Sequence, residues 1–169
     1  MDKLASFIDD VYEKSFIDHT RIVTRGIVIN NQNEILFEKI KRDDIFGKTS
    51  HLELPGGGVN EGENLSLACI REIEEECGLK CQVDGEIGFI EDEYNLIHRH
   101  NIVYYFLLHT IGNCPTRKEE YEKDLIVGTS FINIDKAIEI LENPNSDIAT
   151  LVYRRDVLIL KKVKKMLEK

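Results

Sequence analysis

The chain has 169 residues, 42% of them apolar and 31% charged, with a formal charge of −9 and a pI near 5.1, which suits one domain with a single substantial core and the composition of a soluble globular protein. Such an acidic surface repels nucleic-acid phosphates, so nucleic acid is not expected as a bulk partner, although a small anion can enter beside a bound cation. No basic-then-apolar leader opens the chain and no apolar run approaches the roughly 18 residues needed to cross a bilayer, so the expected setting is cytoplasmic, without a membrane partner.

In chain order, Leu4, Phe7, Ile8, Val11 and Tyr12 fall at the i, i+3, i+4, i+7, i+8 spacing of an amphipathic helix over about 3–16. Its apolar face could pack on the domain or on a second copy, so monomer and homodimer both stay open. Residues 21–29 and 34–40 are rich in β-branched and apolar side chains and are separated by Asn30-Asn31-Gln32-Asn33, which predicts a hairpin. Residues 41–50 are polar and read as a loop leading to a short strand at 51–54. Residues 80–90 alternate like a strand. Residues 98–109 are apolar at both parities through Val103, Tyr104, Tyr105, Phe106 and Leu107, as expected of a strand covered on both faces. A loop over 112–124, a strand at 125–132, a helix at 134–142 and a C-terminal helix at about 154–167 complete the pattern. The whole reads as α/β or α+β. Cys69, Cys77, Cys81 and Cys114 lack a zinc-type pair spacing and read as buried reduced thiols.

The stretch from Leu54 to Leu79 carries the chemistry. Pro55-Gly56-Gly57-Gly58 cannot form a regular element, and such a loop lets backbone N–H groups approach a ligand closely. It lacks the Gly-Lys-Ser/Thr of a P-loop and the spacing of a dinucleotide-binding turn. A helix follows, capped by Asn64 or Ser66 and ended by Gly78. On a 3.6-residue wheel Leu67, Ile70, Ile73 and Cys77 share one stripe, while Glu72, Glu75 and Glu76 project together on the far side. A solvated helix face also looks like this. The glycine loop beside it favours phosphate held through a cation, and hard oxygen ligands in that number suit Mg²⁺ or Mn²⁺.

Gly57, five residues, Glu63, seven residues, then Arg71-Glu72-Ile73-x-Glu75-Glu76-x-Gly78-Leu79 resembles a complete Nudix box, the signature of the MutT-like Nudix hydrolases. The resemblance implies an α/β/α sandwich in which a mixed β-sheet lies between helices, with the box as a loop-helix-loop. It also implies hydrolysis of the diphosphate linkage in a nucleoside diphosphate joined to another moiety, by water attack on phosphorus. Glu72, Glu75, Glu76 and the weaker Glu63 are then the expected metal ligands. Glu72 or one of the later pair helps deprotonate the attacking water, and family members differ on which. Arg71, four residues before Glu75, is expected to steady a carboxylate, and Gly57 and Gly58 to meet phosphate through their backbone. Arg99 is the expected contact to an anionic part of the substrate. Members of the family often add one acid outside the box. Two runs offer it here, Glu91-Asp92-Glu93 and Glu119, Glu120, Glu122, with Glu120 and Glu91 ranked first. A nucleotide sensor on the same fold would be expected to have lost box carboxylates, and an isoprenoid diphosphate isomerase would need a catalytic cysteine.

Overall fold

The computed structural model describes residues 1–169. The elements are β1 (Lys3–Phe7), β2 (His19–Val28), β3 (Glu34–Asp44), β4 (Gly47–Glu53), β5 (Gly56–Gly58), α1 (Leu65–Cys77), β6 (Leu79–Tyr94), β7 (Arg99–Asn113), α2 (Glu120–Leu125), β8 (Ile126–Asn133), α3 (Ile134–Leu141) and α4 (Asp147–Leu167). One turn of 3₁₀ helix, Asn95–Ile97, joins β6 to β7.

Five strands form a mixed sheet in the order β1-β6-β7-β2-β5, and three form an antiparallel sheet in the order β4-β3-β8. Strand β7 explains the layering. Its odd-numbered Val103 and Tyr105 belong to a core with Val23 and Ile27 of β2 and Leu151, Ile159 and Leu160 of α4. Its even-numbered Phe106 and Leu108 belong to a second core with Val28, Cys69 and Ile73, the last two from α1. Side chains alternate across a strand, so a strand apolar at both parities is one with a layer on each side. Helices therefore cover both faces of the mixed sheet, as the α/β/α expectation requires, with the three-stranded sheet as an additional layer beside α4.

Several boundaries differ from the sequence reading. The N-terminal segment is not a helix: residues 3–7 form a parallel edge strand on β6, and 8–18 have no regular element. The open edge of β6 supplies backbone partners, and Asp9 uses its carboxylate on the N–H groups of Val11 and Tyr12 (both 3.0 Å) and of Asn95 (2.8 Å), which competes with helix formation. Ile8, assigned to the apolar stripe, is 71% exposed. The segments 21–29 and 34–40 are strands but not a hairpin. They meet only at the bridge Ile29–Ile35 and then enter different sheets. Residues 41–50 are no loop, because β3 and β4 pair from Glu38–Glu53 out to Asp44–Gly47. That hairpin is polar because its outer end is exposed. Helix α2 occupies part of the expected 112–124 loop, and α4 starts at Asp147, where the Ser146 hydroxyl accepts from the Ala149 N–H. All four cysteines are free; Cys69 and Cys81 are buried, Cys77 and Cys114 half-buried. No helix is long and apolar enough to cross a membrane.

Candidate active site

Both ends of α1 are fixed by local chemistry. The Asn64 side chain accepts from the N–H groups of Ser66 and Leu67, and Gly78 closes the helix at φ 67° with its N–H on the Glu74 carbonyl. The rotation of the helix is not the one the apolar stripe predicts. Leu67 is 60% exposed, whereas Glu72 and Glu76 are buried with Ala68, Cys69 and Ile73. The helix sits on the sheet along the border between its apolar and acidic arcs. Carboxylates are turned inward where β5, β3 and α2 supply partners.

One carboxylate oxygen from each of Glu72, Glu76 and Glu122 lies within 4.8 Å of the other two. Burial raises the proton affinity of Glu72, against the opposing hydrogen bond from Arg71. Burial raises that of Glu76 further, and Glu38 of β3, 2% exposed, adds a second carboxyl that shares a hydrogen bond with it. Four acids in one partly dry place repel one another, and what offsets them within the chain is Arg71 on Glu72, the nearby charge of Arg25 and the Gly56 N–H at 3.4 Å from Glu76. The donor set is all oxygen, close-packed and holds more carboxylates than cations. A divalent cation of the Mg²⁺ or Mn²⁺ kind fits it.

Arg71 organises the rest. Its Nε and Nη2 bind the two oxygens of Glu63 (2.7 and 2.9 Å), Nη1 donates to Glu72 (2.7 Å) and Glu75 (3.3 Å), and Nη2 also reaches the Gly58 carbonyl (3.0 Å). Hydrogen bonding to Glu63 comes first among the causes that hold this guanidinium charged. Glu63 is drawn down to about 2 by Arg71 and by the Asn60 N–H. It thus stands on Arg71, outside the three-carboxylate cluster. Glu75 lines the cleft without joining that cluster. Gly57 faces Glu72 so closely that a Cβ there would lie 2.5 Å from Oε2.

These groups form one end of a cleft of about 1360 Å³. From β5 its floor crosses β2 and then β7. Arg21 stands beside Gly58, 3.3 Å from where a Cβ would sit, and Arg99 also lines the cleft, one strand farther over. Glu120 and Glu91 are elsewhere. Glu120 is exposed on α2 and paired with Lys123 at 2.7 Å, and Glu91 is engaged by Lys3 at 3.1 Å and His100 at 3.4 Å near the sheet edge. The acid that α2 brings to the cluster is Glu122, held by the Glu119 N–H at 2.8 Å through a capping box. Glu38 and Arg21 were not foreseen. Glu38 had a signal: it follows the buried run Ile35-Leu36-Phe37, where a lone carboxylate is out of place unless it has a partner.

A family model described as NUDIX domain matches residues 19–152. The chain belongs to the Nudix family. Among curated relatives, the chain is 32% identical over 95 residues to the 8-oxo-dGTP diphosphatase of Escherichia coli (strain K12), covering 56% of this chain and 70% of that one. It is 35% identical over 94 residues to the ADP-ribose pyrophosphatase of Methanocaldococcus jannaschii, covering 56% of this chain and 53% of that one, about half its length. The fold is similar to that of a MutT protein from Methanosarcina mazei Go1 (TM-score 0.67, 16% identity, 94% and 99% of the two chains). It is also similar to a NUDIX hydrolase from Nitrosomonas europaea (TM-score 0.66, 16% identity, 86% and 89%). In this Nudix chain every position of the box from Gly57 to Leu79 is present, and the fold brings its glycine loop and the Arg71, Glu72, Glu75 and Glu76 side of its helix to one cleft.

Proposed function

We infer that the chain is a pyrophosphohydrolase that cleaves the diphosphate linkage of a nucleoside diphosphate joined to another moiety, with Mg²⁺ or Mn²⁺, by water attack on phosphorus. The observation that carries this is the convergence of Glu72, Glu76 and Glu122 within 4.8 Å in a cleft with room for a nucleotide. Glu72, Glu76 and Glu122 hold the cation directly or through water, and Glu75 supports them from the cleft wall. A bound divalent cation supplies charge withdrawal from the phosphate oxygens and lowers the proton affinity of water in the site. Arg71 holds Glu72 and Glu75 in place, and its grip on Glu63 and on the Gly58 carbonyl ties the loop to the helix. Gly57 lets the chain pass Glu72 without displacing it. Arg21, beside Gly58, offers its guanidinium to a phosphate oxygen. Glu72 or one of the later glutamates takes the proton of the attacking water, a P–O bond forms, and the bridging P–O bond breaks to release two phosphate monoesters or their equivalents.

Retention of every box carboxylate favours hydrolysis over a nucleotide sensor. An isomerase built on a cysteine is disfavoured because no cysteine lines the cleft, and burial pushes Cys69 up to about 12 and Cys81 up to about 11. The substrates named for the two curated relatives, 8-oxo-dGTP and ADP-ribose, are both nucleotide derivatives with a phosphoanhydride, and they are the first two to assay. A panel of nucleoside triphosphates, nucleotide sugars and ADP-ribose incubated with Mg²⁺ tests the reading by release of nucleoside monophosphate. No release from any member would contradict it.

A further inference from the structure

Beyond Arg21, the cleft holds a buried acceptor and a buried donor that nothing in the chain satisfies. Asn101, 2% exposed, donates through Nδ2 to Asp92 Oδ1 at 2.8 Å, and Asp92 Oδ2 accepts from Arg155 at 3.1 Å. A carboxylate can only accept, so the amide is fixed with Oδ1 as a free acceptor. That oxygen is buried and has no partner. Arg99 is two residues earlier on β7, hence on the same face of the strand. Its guanidinium lies over the Tyr94 ring at 5.4 Å, its Nε is buried without a partner, and burial followed by the nearby charge of Arg21 lowers its pKa to about 10. Elsewhere in this network the polar groups are closed: Arg155 also donates to Asp156 and to the Tyr94 hydroxyl, and the Tyr105 hydroxyl donates to Asp156. Asn101 and Arg99 are the open end, and leaving buried polar groups unpaired is costly.

We propose that Asn101 and Arg99 together read one edge of the substrate's base, and that this edge is a lactam, with a carbonyl accepting from Arg99 beside an N–H donating to Asn101. The inference rests on the reading of the cleft as a nucleotide site. Guanine, hypoxanthine, uracil and thymine present such an edge. Adenine has no carbonyl, and the carbonyl of cytosine has no N–H beside it. Ile97, Val103, Ile148 and Val152 line the cleft and give the flat faces of a base apolar contact. Both unpaired atoms are shut off from water in the free protein, so a base reaches them only by displacing the side chains that cover them. A site built around a polar edge rejects analogues that lack it, because its own buried groups then stay unpaired.

Calorimetric binding of nucleoside monophosphates with Mg²⁺ tests this without requiring turnover. The probes are IMP, GMP, UMP, AMP and CMP, with the monophosphates of purine riboside and pyrimidin-2-one riboside, whose bases carry no N–H. The expected result is a lactam monophosphate binding at least about tenfold tighter than AMP, CMP and its own donor-free analogue. Asn101→Leu is expected to bring that probe down to the donor-free level, and Arg99→Met to weaken it several-fold more than its donor-free analogue. Equal binding of a donor-free analogue and its parent would overturn the proposal. So would tightest binding of AMP or CMP, no binding of any probe, or uniform weakening of all probes by Asn101→Leu. Should Asn101→Leu fail to fold, the wild-type comparison and Arg99→Met decide the matter. Absence of phosphoanhydride cleavage would sink the proposed function and leave these affinities to be judged separately.

Discussion

Gly57 and Glu72 are packed so closely that one methyl group cannot be inserted between them: a Cβ on Gly57 would stand 2.5 Å from Glu72 Oε2 and 2.6 Å from Cδ. Gly57→Ala therefore moves the carboxylate or the loop. A displacement of about 1 Å in a reacting array costs on the order of 10²-fold. The expected outcome is a loss of that size in kcat/KM with near-normal thermal stability, read by steady-state kinetics and calorimetry side by side.

Glu122 and Glu120 are two residues apart on α2, yet only Glu122 reaches the cluster. Glu122→Gln is expected to raise the Mg²⁺ concentration for half-maximal activity at least about tenfold. Glu120→Gln, which loses only a surface pair with Lys123, is expected to leave it unchanged. A Mg²⁺ titration of both variants checks the distinction.

Glu38 and Glu76 predict an inverted pH response in the metal-free protein. Burial raises both, and their shared hydrogen bond and mutual charge keep a proton between them. In the unfolded chain both ionise near pH 4. Between there and neutrality the folded state holds the extra proton, so stability falls as pH rises. Glu38→Gln is expected to flatten that slope in urea titrations run from pH 5 to 7.5 with chelator present. Glu63 acts in the opposite sense: its depressed value, about 2, gives stability that is present above the usual carboxylate range and lost as pH falls toward 2.

Arg155 lies 3% exposed between Asp92 and Asp156, each 1% exposed. Removing the cation leaves two buried carboxylates, so Arg155→Met is expected to cost about 3–5 kcal/mol in denaturant unfolding. Asp92→Asn combined with Arg155→Met should recover part of that loss.

The sequence made the strands and the box helix legible through their periods of two and 3.6, and it made the helix ends legible through Asn64 and Gly78. The rotation of α1 was not legible. Its apolar and acidic arcs adjoin, and which arc turns inward depends on Glu38, Gly56 and Glu122, which come from other elements. The strand β1 was misread because its apolar spacing fits a helix, while the partner that makes it a strand, β6, is far along the chain. The same distance hid the Asp92–Arg155 pair, 63 residues apart, and with it the reason Asn101 presents an unpaired acceptor. Ranking Glu120 above Glu122 was a matter of one helix's register, which a six-residue helix does not encode in its pattern.

In the proposed reaction the buried carboxylates of α1 hold a divalent cation for phosphoanhydride hydrolysis. Its most direct test is hydrolysis of the best nucleotide substrate, followed across a Mg²⁺ titration after chelator treatment, for the wild type and for Glu72→Gln and Glu76→Gln. The expected result is no turnover in chelator, recovery of the wild type on adding Mg²⁺, and loss of at least about 10²-fold in both variants while their fold is retained. Full Mg²⁺-dependent activity in folded Glu72→Gln and Glu76→Gln, or turnover undiminished by chelator, would contradict it.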